Sequence, residues 1–188
     1  MPEERANDHA EFAARYEQVA PALCVWAMRH VSLSLQARVE VDDVLQEIWM
    51  RAFRIHDRFA GDLVEFRSWI FGIAKMVLLE VQRSTRRTQW LRFQDGTTSN
   101  SDALDQVEAS ITRLTKRLVR EETVVRFMTH LSALPRPDQD LVMYCGLEGS
   151  SCADAARKLG IGVEAATKRW QRLRARLRED GIAHDWVA

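Results

Sequence analysis

The stretch FRSWIFGIAKMVLLEV at residues 66–81 has the strongest periodicity in the chain. Its apolar side chains recur every three or four residues, which is the spacing of one face of an α-helix. The apolar positions are Phe66, Trp69, Ile70, Ile73, Ala74, Val77, Leu78 and Val81. We therefore predict an amphipathic helix that packs on its neighbours through this face.

The helical pattern continues on both sides of this stretch. Upstream, we predict a helix over residues 42–55 with Asp42 or Asp43 as its N-cap, and a helix over 11–30 that Pro21 kinks or divides. Downstream, a helix over 104–120 is predicted, with continuation to 134 left open. Short helices follow at 138–146, 151–159 and 163–178. With 4 prolines and 8 glycines in 188 residues, the composition argues against many tight β-turns. The fold class predicted is all-α.

A polar segment divides the chain. Residues 94–103 read QDGTTSNSDA, which is small, polar and without a residue for a core. We therefore predict two small helical domains joined by a flexible linker. The first domain covers residues 1–93, the linker with a partial helix covers 94–122, and the second domain covers 123–188.

The charges are segregated although the formal net charge is zero. Residues 1–50 carry 4 basic and 9 acidic groups, residues 51–92 carry 9 and 4, and residues 161–188 carry 6 and 4. Two basic blocks separated by acidic or neutral chain indicate two contacts with a polyanion. The alternative is two ordinary solvated helix faces.

Residues 153–170 have the pattern of a helix-turn-helix. Gly160 stands at a tight turn, where a positive φ is expected, and Ala156 stands where two helices would cross closely. In this motif the start of the last helix enters the major groove. The residues predicted to meet DNA are Glu164, Ala165, Thr167, Lys168, Arg169 and Arg172. A plain basic surface helix, buried through Ala166, Trp170, Leu173 and Leu177, is the alternative.

Residues 42–53 read DDVLQEIWMRAF and present a second candidate surface. Asp43, Gln46, Glu47 and Met50 share one side of the predicted helix, opposite its apolar stripe. This polar and acidic side could bind a basic partner helix. An ordinary acidic helix start, favoured by the helix dipole, is the alternative.

Together these motifs resemble a known family. The segments at 42–49, 58–62 and 66–74, with the basic residues after them, are similar to region 2 of bacterial RNA polymerase sigma factors of the small extracytoplasmic-function type. The segment LPRPDQDL at 134–141, followed by GLEG at 146–149 and the helix-turn-helix, resembles their region 4. The domain order and the length agree with this group.

The resemblance implies a function. The chain would bind core RNA polymerase, direct it to promoters and assist promoter melting. Asp43, Gln46, Glu47 and Met50 would dock on the clamp of the largest polymerase subunit. The second domain would bind the flap of the second-largest subunit and the −35 element of promoter DNA. Contacts with the −10 region would come from Phe59, Gly61, Asp62, Lys75, Arg83, Arg86 and Arg87.

Other expectations concern partners and location. The resemblance also implies control by an anti-sigma factor. A monomer is expected when the chain is free, with weak DNA binding outside the holoenzyme. The polar N-terminus, the lack of a membrane-spanning apolar run and the sparse cysteines predict a cytoplasmic protein with no membrane insertion. Buried or half-buried thiols are expected for Cys145 and Cys152.

Three alternatives to a sigma factor have different consequences. The sequence contains no phosphate-binding loop, nucleophile elbow or metal-ligand spacing, so we expect no enzyme, cofactor or metal site. A helix-turn-helix repressor or activator with a dimerising or sensing N-terminal domain would form a dimer on palindromic DNA and ignore the polymerase. A helical protein-interaction module that uses only the 43–50 face would show no salt-dependent DNA affinity.

Overall fold

The structure is a computed structural model that describes residues 2–34, 39–86, 113–114, 116–118 and 120–182. Within these ranges the regular structure is helical throughout. The predicted all-α fold is therefore confirmed. None of the helices in these ranges has both the length and the apolar character needed to cross a lipid bilayer.

Three long helices form the N-terminal part, which we call the N-terminal module. Helix α1 spans Pro2–Ser34, α2 spans Val41–Ile55 and α3 spans Leu63–Arg86, with a short 3-10 turn at His56–Arg58. Each helix contacts the other two. The apolar stripe predicted for α3 is buried except at Trp69, which is half-buried. The hydrophobic effect of this aromatic-rich core holds the three helices together.

Two predicted helix boundaries in this module are wrong. Helix α1 continues through Pro21 as one helix, so the predicted division there is wrong. All six residues that follow Pro21, from Ala22 to Ala27, are buried. This packing outweighs the hydrogen bond that a proline removes. The N-cap of α2 is Glu40, not Asp42 or Asp43. Both aspartates lie in the first turn instead, where their charge interacts favourably with the helix dipole.

Short helices build the C-terminal module, residues 122–182. Helix α4 spans Glu122–Ala133, α5 spans Arg136–Leu141, α6 spans Cys152–Leu159 and α7 spans Val163–Glu179. The helix predicted over 138–146 is wrong in form, since the chain changes from α5 into a π-helical turn at Val142–Leu147. A continuous helix to residue 134 is also wrong, because Glu121 has an extended backbone (φ −68°, ψ 131°) before α4 begins.

The two modules share one continuous hydrophobic core. Helix α1 contacts both α4 and the π-helical turn of the C-terminal module. Buried side chains run without interruption from Phe12 in α1 to Ile182 after α7. The segment predicted as a linker lies mostly outside the described residues.

Candidate functional site

The loop at residues 59–62 connects the 3-10 turn to α3 and contains three of the predicted site residues. The Phe59 ring lies against the rings of Phe66 and Trp69, with centroids 5.5 and 5.1 Å apart. A Cβ at Gly61 would lie 2.5 Å from Glu65 Oε2 and 2.9 Å from Phe59 Cζ, so a larger residue there would displace both side chains. The loop is therefore held in one conformation by aromatic packing and close contact.

A reciprocal capping box begins α3. The backbone N–H of Glu65 donates to Asp62 Oδ1 at 2.9 Å, and the backbone N–H of Asp62 donates to Glu65 Oε2 at 2.9 Å. Each carboxylate satisfies an N–H group that the first turn of the helix leaves without a partner. The predicted site residue Asp62 therefore has a structural role at this helix start. The spacing of Asp62 and Glu65 is that of a capping box, a signal in the sequence from which this helix start was not predicted.

Arg15 of α1 joins the loop to the N-terminal module. Its Nη1 donates to the carbonyl oxygen of Gly61 at 2.9 Å, and its Nη2 donates to Glu11 Oε1 at 2.6 Å. Arg15 was not among the predicted residues, because no local pattern relates it to a glycine 46 positions later. The contact fixes the loop against α1, in addition to its packing against α3.

A cavity of about 240 Å³ opens between this loop and α1. The rings of Phe12, Phe59 and Phe66 contribute apolar walls, and Asp8, Arg15 and Asp57 contribute polar groups. Phe12 and Phe66 are 3% and 1% exposed, so of these three rings the half-buried Phe59 is the one that a flat heterocycle could contact, beside the hydrogen-bonding side chains.

The basic residues predicted on α3 lie at different places. Lys75 is half-buried, and its Nζ lies 2.6 Å from Glu148 Oε2 of the C-terminal module. Arg83 is exposed further along the same helix. Arg86 is the last residue of α3, and the structure does not describe its side chain. Arg87 lies outside the described residues.

The four residues predicted on α2 share one side of that helix, as expected. Asp43 is exposed, while Gln46, Glu47 and Met50 are half-buried. Glu47 Oε1 accepts a hydrogen bond from Arg51 Nε at 2.5 Å.

Arg51 also reaches α3. Its Nη2 donates to Glu80 Oε2 at 2.7 Å. The hydrogen bond to Glu80, followed by that to Glu47, raises the pKa of the Arg51 guanidinium, and the bond from Arg51 lowers the pKa of Glu80. This arrangement fixes Glu47 at the surface between α2 and α3.

Helices α6 and α7 form the predicted helix-turn-helix. Ser151 caps α6 by accepting from the backbone N–H of Asp154 at 3.1 Å. Gly160 ends it with φ 66°, which confirms the predicted positive φ. The residues predicted as the buried side of α7 are all buried, namely Ala166, Trp170, Leu173 and Leu177.

The predicted DNA contacts of α7 lie mainly on its outer side. Glu164, Ala165, Lys168 and Arg172 are exposed. Thr167 and Arg169 are half-buried, and each has a partner within the module. The Thr167 hydroxyl donates to the Val163 carbonyl at 2.8 Å, and Arg169 Nε donates to Asp138 of α5. Lys168 Nζ lies 2.6 Å from Glu164 Oε1.

The cysteines match the expectation of protected thiols. Cys145 is buried and Cys152 is half-buried. Burial, followed by the neighbouring Cys152, raises the pKa of the Cys145 thiol to about 12. A thiol so protonated is a poor nucleophile and a poor metal ligand near neutral pH. Within the described part of the chain, no cluster of His, Cys, Asp and Glu is arranged to hold a metal ion.

Comparison with known proteins identifies the family. Residues 15–88, which cover most of the N-terminal module, match Sigma-70 region 2. The chain is 27% identical over 183 residues to the ECF RNA polymerase sigma factor SigL of Mycobacterium tuberculosis, covering 94% of each chain. The protein is an RNA polymerase sigma factor of the extracytoplasmic-function (ECF) type.

Two further relatives agree with this assignment. The sigma factor is 27% identical over 139 residues to RNA polymerase sigma factor NccH of Alcaligenes xylosoxydans xylosoxydans, covering 73% of this chain and 71% of the relative. It is 26% identical over 138 residues to sigma factor CnrH of Cupriavidus metallidurans, covering 73% and 71%. No solved structure matches the chain. As a sigma factor it directs RNA polymerase to promoters and is not an enzyme.

Proposed function

We propose that this sigma factor reads promoters at two places, the −10 region with the N-terminal module and the −35 element with α7, and that it assists promoter melting. The observation that carries the proposal is the helix-turn-helix of α6 and α7. This motif lies outside residues 15–88, which match region 2. Its second helix, α7, begins at exposed residues shortly after Gly160, which has a left-handed backbone conformation. Two DNA-reading surfaces in one chain suit a factor that positions a polymerase on duplex DNA.

For the −10 region, the 59–62 loop and its cavity supply a receptor for an unstacked base. Melting costs stacking energy, and a pocket that holds the extruded base offsets part of that cost. Phe59 and Gly61 would border the base and Asp62 would fix the loop. Lys75, Arg83, Arg86 and Arg87 would bind the DNA backbone.

For the polymerase, Asp43, Gln46, Glu47 and Met50 form a compact patch with acidic and apolar parts. Met50 packs against the core and Glu47 is fixed by Arg51. Such a patch suits a basic helical surface, and we assign it to the clamp of the largest subunit. The C-terminal module would bind the flap of the second-largest subunit.

For the −35 element, the exposed residues of α7 would enter the major groove. Glu164, Ala165 and Lys168 lie at the helix start and Arg172 follows one turn later. Thr167 and Arg169 lie beside them and would contact DNA after exchanging their present partners. An anti-sigma factor would act by covering the polymerase-binding faces, and the free cytoplasmic chain would be monomeric.

The experiment that tests the polymerase contact is co-elution with bacterial core RNA polymerase on a sizing column. The wild-type chain should co-elute, and the Gln46→Ala/Glu47→Ala variant should lose at least ten-fold in affinity. The matched control is Glu17→Ala/Gln18→Ala, which removes the same two residue types from exposed positions on α1. Equal co-elution of all three proteins would contradict the assignment of this face.

The DNA assignment is tested separately with reconstituted holoenzyme. Lys168→Ala/Arg172→Ala should reduce run-off transcription from a pool of genomic fragments while leaving co-elution with core polymerase intact. Arg174→Ala/Arg178→Ala is the matched control, since it removes two exposed cations from the second half of the same helix. A larger loss in the control than in the test variant would place the −35 contact elsewhere.

A further inference from the structure

A row of basic side chains lies just before the C-terminal module, outside the proposed surfaces. The basic residues of the segment 93–125 all fall at positions 113, 116, 117 and 120. The residues that the structure describes in this stretch, 113–114, 116–118 and 120, have helical backbone. Positions three, four and seven apart share one face of a helix. We call the residues on this face, Arg113, Lys116, Arg117 and Arg120, the basic row.

Apolar packing holds the basic row in place. Leu118 is buried in the shared hydrophobic core, and Leu114 packs against that core. The backbone N–H of Glu121 donates to the carbonyl oxygen of Leu118 at 3.1 Å, and α4 begins at the next residue, Glu122. The row is therefore attached to the C-terminal module by packing and by a connection of one residue.

The side chains of the basic row are all exposed. Within the described part of the chain, no carboxylate forms an ion pair with Lys116, Arg117 or Arg120. By contrast, Arg157 of α6 and Lys168 of α7 each have a carboxylate partner within one helical turn. An ordinary solvated face of this protein thus pairs its cations, and the basic row does not.

The spacing within the row is unfavourable for a helix on its own. Lys116 and Arg120 stand four positions apart, and like charges at this separation destabilise a helix. Together with Arg117 they line a cleft of about 520 Å³. Glu121 also lines the cleft, and its Oε1 accepts a hydrogen bond from Thr123 Oγ1 at 3.0 Å. A polyanion bound along the row would relieve the repulsion between the cations.

Duplex DNA has the charge spacing that fits this row. An α-helix rises about 1.5 Å per residue, so the steps from Arg113 to Arg120 cover about 10.5 Å. One DNA strand has a phosphate about every 3.4 Å along the duplex axis, so about three phosphates match that length. Lysine and arginine side chains bind phosphate oxygens without reading the base sequence.

The place of the basic row in the chain indicates which DNA it meets. The row follows the 59–62 loop and α3, which are proposed for the −10 region, and it precedes α6 and α7, which are proposed for the −35 element. A segment that joins two modules bound to separate elements passes the duplex between those elements. That duplex is therefore the polyanion within its reach.

We propose that the basic row binds the phosphate backbone of the spacer duplex, the DNA between the −10 region and the −35 element. The row thereby adds a third contact to promoter binding, one that does not depend on sequence. This inference rests on the proposed function of the N-terminal module and α7.

The first test measures the charge that the row contributes in the holoenzyme. A promoter fragment is first recovered by run-off transcription from a pool of genomic fragments, and its transcription start locates the spacer. Lys116→Gln/Arg117→Gln/Arg120→Gln should weaken holoenzyme binding to this fragment by about ten-fold or more, and the slope of log K against log salt should become shallower by about 2–3. Arg113 is left in place because it has a partner in the fold.

The matched control removes the same number of charges elsewhere. Arg126→Gln/Arg136→Gln/Arg174→Gln neutralises exposed arginines of α4, α5 and α7. It should change the affinity by less than about two-fold, because exposed charges further than a Debye length from the DNA are screened. Both triple variants should keep the wild-type circular dichroism and co-elute with core polymerase. An equal loss of affinity in both would mean that net charge alone is responsible and would overturn the proposal.

Uncharged phosphates decide whether the lost contact is with the spacer. Methylphosphonate linkages remove the charge of the spacer backbone and keep its sequence. The wild-type holoenzyme should bind this promoter about ten-fold more weakly, since the same phosphate contacts are lost, and the basic-row variant should bind both promoters equally. A basic-row variant that still loses affinity on the uncharged spacer would place the row on another partner, such as the polymerase or the transcript, and would overturn the proposal.

The proposed function fails in a different way. Lys168→Ala/Arg172→Ala is measured on the same promoter fragment. If this variant loses affinity while the basic-row variant binds with the wild-type affinity and salt slope, only the spacer contact is wrong. If the α7 variant binds like the wild type, the proposed −35 contact is wrong, and the spacer contact that rests on it is overturned as well.

Discussion

The two modules position their proposed DNA surfaces by different physical means. In the N-terminal module, the 59–62 loop is held by side chains from α1 and α3, including Arg15 at a separation of 46 residues. In the C-terminal module, local structure sets both ends of α6, with the Ser151 cap at its start and the left-handed Gly160 at its end, and α7 begins directly after that turn. The first surface therefore depends on tertiary packing and the second on turn chemistry. Substitutions should therefore be able to disturb one surface without disturbing the other.

The largest expected effect is in the N-terminal core. Phe66 is 1% exposed and packs against Phe12, Phe59 and Trp69. Phe66→Ala should lower the free energy of unfolding by about 3–5 kcal/mol, because it leaves a cavity among aromatic rings. Urea denaturation measures this. Met76→Ala, at a 54% exposed position of the same helix, should change it by less than about 0.5 kcal/mol.

Substitutions at two glycines distinguish tertiary packing from turn conformation most directly. Gly61→Ala should cost about 1–3 kcal/mol because its Cβ would collide with Glu65 and Phe59. Gly160→Ala should cost about 1–2 kcal/mol because its φ is 66°, although there is open space around it. Asparagine tolerates the left-handed region, so Gly160→Asn should recover part of the loss while Gly61→Asn should not. Equal behaviour of the two asparagine variants in urea denaturation would contradict the distinction.

A smaller effect is expected from the long-range contact of Arg15. Arg15→Gln should lower the free energy of unfolding by about 0.5–1.5 kcal/mol, since it removes a hydrogen bond from a partly exposed side chain. Its main result should be faster amide hydrogen exchange in the 59–62 loop, with no change in α6 or α7. Faster exchange in α7 as well would mean that the two surfaces are coupled through the fold.

The smallest predicted effect is a pH dependence at His30 of α1. The His30 ring lies against the Trp26 ring, with centroids 4.1 Å apart and the ring planes tilted by 31°. Burial lowers its pKa, and Arg29 and Lys75 act in the same direction, while the hydrogen bond to the Trp26 carbonyl and the charge of Glu148 oppose this. The unfolded chain therefore binds the proton at a higher pH than the folded chain does.

A neutral His30 stabilises the folded chain more at higher pH. Stability from a neutral His30 is fully present above the unfolded pKa of about 6.5, and it is lost as pH falls below that value towards the lower folded pKa. His30→Gln should therefore lose less stability than the wild type between pH 7.5 and 5.5 in urea denaturation. An identical loss in both proteins would show that His30 does not contribute.

Much of the fold was predictable because it is encoded in local periodicity. The apolar repeat from Phe66 to Val81, the buried repeat of α7 and the turn at Gly160 all hold in the structure. Helix continuation through Pro21 was not predictable from local rules, because burial on both sides of the proline outweighs its intrinsic preference. The family followed from motif order, and the comparisons confirm it.

Fewer of the contacts in the candidate site could be predicted from the sequence. The residues predicted on α2 and α7 share faces because helical spacing alone places them together. Arg15, Trp26 and Glu148 had no such signal, since each acts on residues far away in the chain. The roles assigned to individual residues remain predictions that the variants above address.

The helical class and the helix faces can be read from the sequence, since each depends on residues a few positions apart, and the order of the motifs can be read in the same way. Which groups meet across the chain depends on tertiary packing. It placed Arg15 on the carbonyl of Gly61 and the carboxylate of Glu148 between Trp26 and Lys75. The reason is physical: a buried charge or a tight loop is stabilised by whichever partners packing brings within hydrogen-bonding distance, and distance along the chain does not specify them.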